Sequence, residues 1–264
     1  MPDLNGKVAI VTGGAASIGA AITERLCEDG ATVVVAARNA ENGKDIEAKL
    51  NGRAKFVQSD ITVDEQLDRL ITQTLSVFGK LDILVNNACS YGDNGAATDR
   101  ATWLQTLNTN AVSAAILGEK ARPSLSRSAG SIINIGSISG NFPHIARWAY
   151  PVSKATLRHL TKTQAVEYAS DRIRVNMVTL GHIWSDPFQG LTSNRRSHAD
   201  AVSRPYNLMG RIADADEVAA VVAFVASNEA SYVTGSEIPV DGGYGAMGPE
   251  QHYPLIPRLT GEAT

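Results

Sequence analysis

Residues 8–19 read VAIVTGGAASIG, and this stretch decides the fold of the chain. The apolar run over residues 8–12 predicts a buried strand, and the pattern over 18–29 predicts a helix that ends at Gly30. The glycines between them let the backbone approach a pyrophosphate, for which the start of a helix offers free N–H groups and a positive dipole end. We therefore expect a strand, a phosphate-binding turn and a helix in succession.

Short apolar runs alternate with helical patterns along the rest of the chain. Further strands are predicted over 32–37, 54–59, 82–85, 131–136, 174–180 and 237–240. Further helices are predicted over 40–50, 63–78, 99–121 (ending near Pro123), Tyr150 to about Ala169, and 214–227. The strands are near-continuous runs of Val, Ile and Leu, which is typical of strands buried on both faces of a parallel sheet. The predicted fold class is α/β, a single-domain doubly wound parallel sheet of about seven strands flanked by helices.

Composition narrows the functional class. The chain has 264 residues, 44% hydrophobic and 19% charged, with a net charge of −3 from 24 basic and 27 acidic side chains. This balance does not favour nucleic acid or an anionic membrane surface as a partner. The two distant cysteines and the five histidines have no disulfide or metal-ligand spacing, so we predict no metal site. No apolar stretch is long enough for a membrane span and no apolar signal region is recognised, so we expect a cytoplasmic protein.

A tyrosine and a lysine four residues apart, Tyr150 and Lys154, fall on one face of a predicted helix. An ammonium group beside a phenol favours the phenolate and lowers the tyrosine pKa. Tyr150 would then be able to act as an acid or base near neutral pH. The spacing alone is common in helices, where it usually marks a surface pair, so the interpretation depends on the rest of the chain.

Further motifs accompany this pair in order along the chain. Ser137 lies thirteen residues before Tyr150, Asn110 lies in the preceding helix, and Ser153 completes a Tyr-x-x-Ser-Lys pattern. The remaining motifs are NNAC at 86–89, VNMVTLGHI at 175–183, VTG at 233–235 and VDGG at 240–243. Together with the glycine turn, they resemble the short-chain dehydrogenase/reductase family over nearly the whole chain, and the resemblance implies a Rossmann-like sheet.

The chain departs from the family pattern at three positions. Ser17 stands where the middle glycine of the turn is expected; it keeps an N–H and adds a hydroxyl, but lacks the freedom of glycine at positive φ. Cys89 stands in place of a glycine, where a larger residue would narrow the pocket. Leu180 replaces the usual proline.

The resemblance implies a catalytic tetrad of Asn110, Ser137, Tyr150 and Lys154. Hydroxyls of Ser137 and Tyr150 would stabilise the negative charge that develops on a carbonyl oxygen as it accepts hydride, and Tyr150 would deliver the proton. Lys154 would hold the nicotinamide ribose and lower the pKa of Tyr150. Asn110 would order a water that links Lys154 to solvent.

The resemblance also implies a nicotinamide cofactor held along the carboxyl edge of the sheet. Its expected contacts are Gly13, Ser17, Ile18, Gly19, Arg38, Asp60, Ile61, Asn87, Ala88, Tyr150, Lys154, Gly181, Ile183 and Ser185. Family members that use NAD carry an aspartate near the end of strand two, where this chain has Ala37. Because Arg38 follows and suits a 2′-phosphate, NADP(H) is favoured, with NAD(H) as the alternative.

The residues expected to border the substrate are aromatic with a few polar groups. They comprise Ser139, Asn141, Phe142, His144, Trp148, Trp184, Phe188 and Tyr206. Such a mixture favours a hydrophobic or cyclic ketone or secondary alcohol over a highly charged one. His144 is expected to be a structural or interface residue rather than a second acid.

The predicted organisation is one dinucleotide-binding catalytic domain over 1–243 with a tail over 244–264. An irregular, polar substrate loop at about 183–211 would close as a lid. The resemblance implies a homotetramer, and the tail, rich in glycine and proline, would lie at a subunit interface. The favoured function is an NADP(H)-dependent carbonyl reductase. The alternatives are an NAD-dependent dehydrogenase of a cyclic alcohol or diol, a 3-oxoacyl-thioester reductase, and, from another class, a cofactor-binding module without turnover.

Overall fold

A computed structural model describes residues 2–248 and residue 259. Its seven strands are β1 (Val8–Thr12), β2 (Thr32–Ala37), β3 (Ala54–Gln58), β4 (Ile83–Asn86), β5 (Ser131–Ser137), β6 (Arg174–Leu180) and β7 (Glu237–Val240). Its α-helices are α1 (Ser17–Glu28), α2 (Ala40–Lys49), α3 (Asp64–Phe78), α4 (Arg100–Leu107), α5 (Ser113–Ser128), α6 (Ala149–Glu167), α7 (Asp186–Leu191), α8 (Arg196–Ser203) and α9 (Ala215–Ala226).

The strands form one parallel sheet in the order β3-β2-β1-β4-β5-β6-β7. β1 pairs with β2 on one side and with β4 on the other, so the strand order reverses direction at β1. In open α/β sheets, ligands bind in the crevice beyond the carboxyl ends of the strands at such a reversal. The predicted fold is confirmed, and its topology places the glycine turn after β1 beside the segment after β4.

Successive strand residues point to opposite faces of the sheet, and helices cover each face. The sheet is therefore buried on both faces. Ala9 and Val11 pack in a cluster with α1 and α9, whereas Ile10, between them, packs in a second cluster with α3 and α5. All five residues of β1 are buried. Burial of such side chains contributes roughly 1.5–3 kcal/mol each, which fixes the position of β1 and of the turn that follows it.

Two predictions for local structure were wrong. The helix expected to end near Pro123 continues to Ser128, after a π-helical segment at Asn108–Val112. Pro123 has no N–H to donate to the carbonyl of Glu119, one helical turn earlier. Both residues are exposed, so water can hydrogen-bond to that carbonyl. The segment expected to be irregular contains α7 and α8, and Pro187 is accommodated because it lies in the first turn of α7.

The tail begins with a 3₁₀ turn at Tyr244–Ala246. The expectation that the tail lies at a subunit interface falls mostly on residues 249–264, and these lie outside the described residues apart from residue 259. Among the described residues, no helix is long and apolar enough to cross a membrane.

Candidate active site

The turn after β1 is tightly packed at its glycines and is followed by the uncapped start of α1. A Cβ atom at Gly19 would lie 2.0 Å from the carbonyl oxygen of Gly13, so only glycine fits there. Gly13 itself has a φ of +64°. The N-cap of α1, Ala16, makes no side-chain hydrogen bond to the first N–H groups of the helix. These N–H groups are therefore suited to bind a diphosphate.

Ser17 adopts the left-handed conformation that the family's glycine would have, with a φ of 52°. A residue with a Cβ pays roughly 1–2 kcal/mol for this conformation. Its hydroxyl accepts a hydrogen bond of 3.2 Å from the N–H of Asp186, which begins α7. The departure at Ser17 therefore keeps the turn and connects it to the substrate loop.

A cleft of about 960 Å³ runs along the carboxyl edge of the sheet. The predicted cofactor residues that line it are Gly13, Ser17, Ile18, Gly19, Arg38, Asp60, Ile61, Asn87 and Ala88. The cleft thus has the volume and the lining that a dinucleotide needs, and the glycine turn forms part of its wall. This arrangement fits the cofactor that the resemblance implied.

The segment after β4 is held to the turn by Thr12. The hydroxyl of Thr12 accepts hydrogen bonds from the N–H groups of Asn87 and Ala88 at 3.0 and 3.1 Å. The side-chain amide of Asn87 donates in return to the carbonyl of Thr12 at 3.0 Å. These bonds close the sheet reversal and fix one wall of the cleft.

A second cavity, of about 390 Å³, adjoins the cleft and contains the predicted reacting groups. It is lined by Ser137, Tyr150 and Lys154 together with the predicted residues Gly181, Ile183 and Ser185, and it shares Ile18, Asn87, Cys89 and Tyr91 with the cleft. The ammonium nitrogen of Lys154 lies 5.7 Å from the ring centroid of Tyr150. This nitrogen donates to the carbonyl of Ile135 at 2.9 Å.

The expected depression of the Tyr150 pKa is not what the structure gives. Burial raises the pKa of Tyr150 above its ordinary value, and the hydrogen bond from Ser137 and the charge of Arg147 offset only part of that rise. Burial also lowers the pKa of Lys154, because a charged ammonium group is disfavoured in the interior. Burial therefore dominates both pKa values, and the neighbouring ammonium that the spacing suggested does not lower the pKa of Tyr150.

Asn110 lies beneath the site at the π-helical segment, where it is 3% exposed. Its side-chain oxygen accepts from the N–H of Ser90 at 2.6 Å, and its amide donates to the carbonyl of Ser90 and to the hydroxyl of Ser153, both at 2.9 Å. Asn110 and Lys154 both line a cavity of about 10 Å³, which is about the space that one water needs. Asn110 therefore holds the loop after β4 against the helix that carries Tyr150.

Two residues of this loop belong to the site although the sequence analysis did not find them. The carboxylate of Asp93 accepts from the backbone N–H of Tyr150 at 2.9 Å and from that of Trp148 at 2.8 Å. The ring of Tyr91 stacks on the ring of Tyr150, with centroids 5.3 Å apart. No local sequence signal points to either residue, because each acts on a partner more than fifty positions away.

The other departures from the family pattern are accommodated. Cys89 lines both the cleft and the catalytic cavity. Leu180 is buried at the end of β6 and pairs with Ser137 on one side and with Val240 on the other. A proline would lack the N–H that a strand residue can donate, so leucine suits a strand continued to this point.

Comparison with known proteins gives a consistent assignment. A family profile described as enoyl-(acyl carrier protein) reductase matches residues 13–245. L-fucose dehydrogenase of Mus musculus is 34% identical over 97% of this chain and 96% of its own length. Cis-4-hydroxycyclohexanecarboxylate dehydrogenase of Sinomonas cyclohexanicum is 35% identical over 91% of this chain and 97% of its own.

The likeness extends to a solved structure. The crystal structure of gox2181 superposes with a TM-score of 0.85 at 30% sequence identity, covering 92% of this chain and 97% of that one. Fold, motifs and relatives therefore agree over almost the same residues. The chain belongs to the short-chain dehydrogenase/reductase family, as an NAD(P)-dependent alcohol dehydrogenase or reductase.

Proposed function

We propose that this enzyme is an NADP(H)-dependent carbonyl reductase that acts on a hydrophobic or cyclic ketone. The observation that carries the proposal is the cavity in which Ser137, Tyr150 and Lys154 meet beside the dinucleotide cleft. The carbonyl oxygen would lie between the two hydroxyls. Donors fixed there stabilise the charge that develops on the oxygen during reduction.

The cofactor supplies the hydride, and the residues of the chain handle the proton. Ser137 donates to the developing alkoxide and lowers the pKa of Tyr150 through its hydrogen bond. An ordinary phenol is already protonated at neutral pH, and burial raises the pKa of Tyr150 further, so the proton that a general acid must donate stays on Tyr150.

Proton replacement would pass through Lys154. We assign the cavity of about 10 Å³ between Lys154 and Asn110 to one water that links Lys154 toward the cleft. Asn110 orders this path indirectly, because its side chain holds Ser90 and Ser153 in place. Tyr150 would be the base in the reverse reaction.

The proposed cofactor preference depends on the end of β2. Ala37 and Arg38 line the cleft there, and neither can accept a hydrogen bond from a ribose 2′-hydroxyl with a side-chain carboxylate. Burial alone would raise the pKa of Asp60, but hydrogen bonds from Thr62 and the positive charge of Arg38 lower it below its ordinary value. The exposed guanidinium of Arg38 is free to pair with a 2′-phosphate as well.

The cofactor proposal is tested by Arg38→Ala beside Lys44→Ala, which removes an exposed charge from α2 outside the cleft. We expect Arg38→Ala to raise the KM for NADPH about tenfold or more, since charge-assisted bonds are worth about 1.5–3 kcal/mol. The KM for NADH should not change, and Lys44→Ala should leave both values unchanged. A wild-type KM for NADH below that for NADPH would refute the preference.

A second candidate function is an NAD-dependent dehydrogenase of a cyclic alcohol. It is favoured by two of the relatives, an L-fucose dehydrogenase and a cis-4-hydroxycyclohexanecarboxylate dehydrogenase. A panel of cyclic ketones and their alcohols, assayed with both cofactors, separates the candidates. Turnover of ketones with NADPH well above turnover of alcohols with NAD supports the reductase. Cofactor binding with no turnover of any member would favour a module without catalysis.

The proposal includes a homotetramer in the cytoplasm. The two free cysteines, Cys27 and Cys89, suit a reducing compartment. Light scattering on the purified chain tests the tetramer, and a mass of one chain would rule it out.

A further inference from the structure

A third cavity, of about 310 Å³, lies beside the catalytic one and beneath α7 and α8. The two cavities share His144, His182 and Phe188, so they meet at these side chains. A volume near 300 Å³ is at the lower end of the range for small-molecule sites. We call this space the side pocket.

The side pocket is aromatic. Among the lining rings, His182 has the most neighbours. Its ring centroid lies 5.8 Å from that of Phe188, 6.3 Å from that of Tyr206 and 5.9 Å from that of Tyr244. His144 closes the group, 6.3 Å from Tyr244. Aromatic rings at these separations offer faces and edges on which another ring can pack.

The side pocket also lacks a carboxylate, ammonium or guanidinium group among its described lining residues. Its ionisable side chains among the described residues are His144, His182, His198 and the two tyrosines, and no aspartate, glutamate, lysine or arginine lines it. Burial lowers the pKa of His144 and of His182. An anionic group placed here would lack a fixed counter-charge, which is costly in a desolvated site.

One polar atom is available in the wall. Nε2 of His144 is buried and has no hydrogen-bond partner among the described residues. A single neutral donor or acceptor on a bound molecule could pair with it.

We infer that the substrate is a cyclic ketone or secondary alcohol that carries a second, uncharged ring, and that this ring occupies the side pocket. The inference rests on the proposed function, because the first ring must present its carbonyl to Ser137 and Tyr150. It separates this chain from an enzyme for a polyhydroxylated sugar or for a compact ring carboxylate. Because the two cavities meet at His144 and His182, one two-ring molecule can place a ring in each.

The test compares cyclohexanone with 4-phenylcyclohexanone in the presence of oxidised cofactor, where a ketone cannot react. Calorimetry then measures binding without turnover. We expect the phenyl compound to bind at least about tenfold more tightly, because its second ring leaves water. Equal affinity of the two ketones would overturn the inference.

Two substitutions locate the second ring. Ala199→Leu adds carbon atoms at a buried position of α8 that lines the side pocket, and Ala201→Leu makes the same change on the exposed face of that helix. We expect Ala199→Leu to abolish the preference for the phenyl compound while cyclohexanone binds as before, and Ala201→Leu to change neither. Val202→Trp, at the exposed rim of the pocket, should act like Ala199→Leu if the buried position disturbs folding. A preference that survives in both pocket variants would place the ring elsewhere and overturn the inference.

Reduction of the same ketones with NADPH gives an independent readout of the proposed function. Tight, pocket-dependent binding without turnover would reject the reductase and keep the side pocket as a two-ring binding site. Turnover without a preference for the phenyl compound would keep the reductase and reject the two-ring substrate.

Discussion

Asp93 is expected to position the catalytic tyrosine although it touches no reacting atom. α6 begins at Ala149 without a cap from its own N-cap side chain, and Asp93 supplies that cap from the loop after β4. Its carboxylate accepts from the N–H groups of Trp148, Tyr150 and Gly95. Replacing Asp93 with alanine would leave the first turn of the helix, and hence Tyr150, without this anchor.

The expected magnitude follows from these bonds. Loss of an N-cap costs about 0.5–2 kcal/mol, and because Asp93 is only partly buried we expect about 1–2 kcal/mol of unfolding free energy. Activity should fall further than stability suggests, since a displacement of about 1 Å at a reacting group can cost about 10²-fold. We expect a decrease in kcat of about tenfold to a hundredfold, with the KM for the cofactor nearly unchanged.

Asp99→Ala is the matched control. Asp99 caps α4 by accepting from the N–H of Thr102, and within the described part of the chain it has no hydrogen bond to α6. The Asp99→Ala variant should be less stable than the wild type but should have the same kcat. Asp93→Asn keeps an acceptor oxygen without the charge, so it should recover part of the lost kcat. If Asp93→Ala lost no more activity than Asp99→Ala, the positioning role would be refuted.

A pH titration of stability gives a second readout. Desolvation alone would raise the pKa of Asp93, but the N–H groups of Trp148, Tyr150 and Gly95 lower it below its ordinary value. A group with a depressed folded-state pKa stabilises the protein above its unfolded pKa, about 3.9, and loses that effect as pH falls through the folded pKa. The difference in stability between wild type and Asp93→Ala should therefore be constant from about pH 5 to 8 and shrink below about pH 4.

Three further results are expected. Tyr150→Phe should lose about 10²–10⁴-fold in turnover while it still binds cofactor. Tyr91→Phe, the same change on the stacked ring, should keep its turnover. Near-normal turnover in Tyr150→Phe would exclude Tyr150 as the acid. Because burial raises the pKa of Tyr150, the rate of ketone reduction should stay level through mildly alkaline pH, while the rate of alcohol oxidation rises with pH. A reduction rate that falls before the pH reaches about 8 would contradict this expectation. Ser17→Gly should be about 1 kcal/mol more stable than Ser17→Ala, since both lose the bond to Asp186 but only glycine relieves the positive φ; equal melting temperatures would show that Ser17 is unstrained.

The sequence by itself determined the sheet and which residues are proposed to react. Runs of Val, Ile and Leu such as residues 32–37 encode buried strands, and the glycine turn encodes a backbone shape that depends on its own residues. The spacing of Tyr150 and Lys154 places them on one helix face, and the structure brings both to one cavity with Ser137. These features are local, or repeat a pattern that the family shares, so they can be predicted from the chain alone.

Only the tertiary structure decided the electrostatics and the supports of the site. The spacing predicted a lowered pKa for Tyr150, but burial is a property of the packed molecule, and it reversed the direction. The hydrogen bond from the N–H of Tyr150 to Asp93 joins residues 57 positions apart, and the hydrogen bond from Asp186 to Ser17 spans 169 positions. The side pocket likewise exists only where α7 and α8 fold over His182. The periodicity of a sequence shows which side chains share a face of one helix or strand. These contacts depend instead on how separate helices, strands and loops pack against one another.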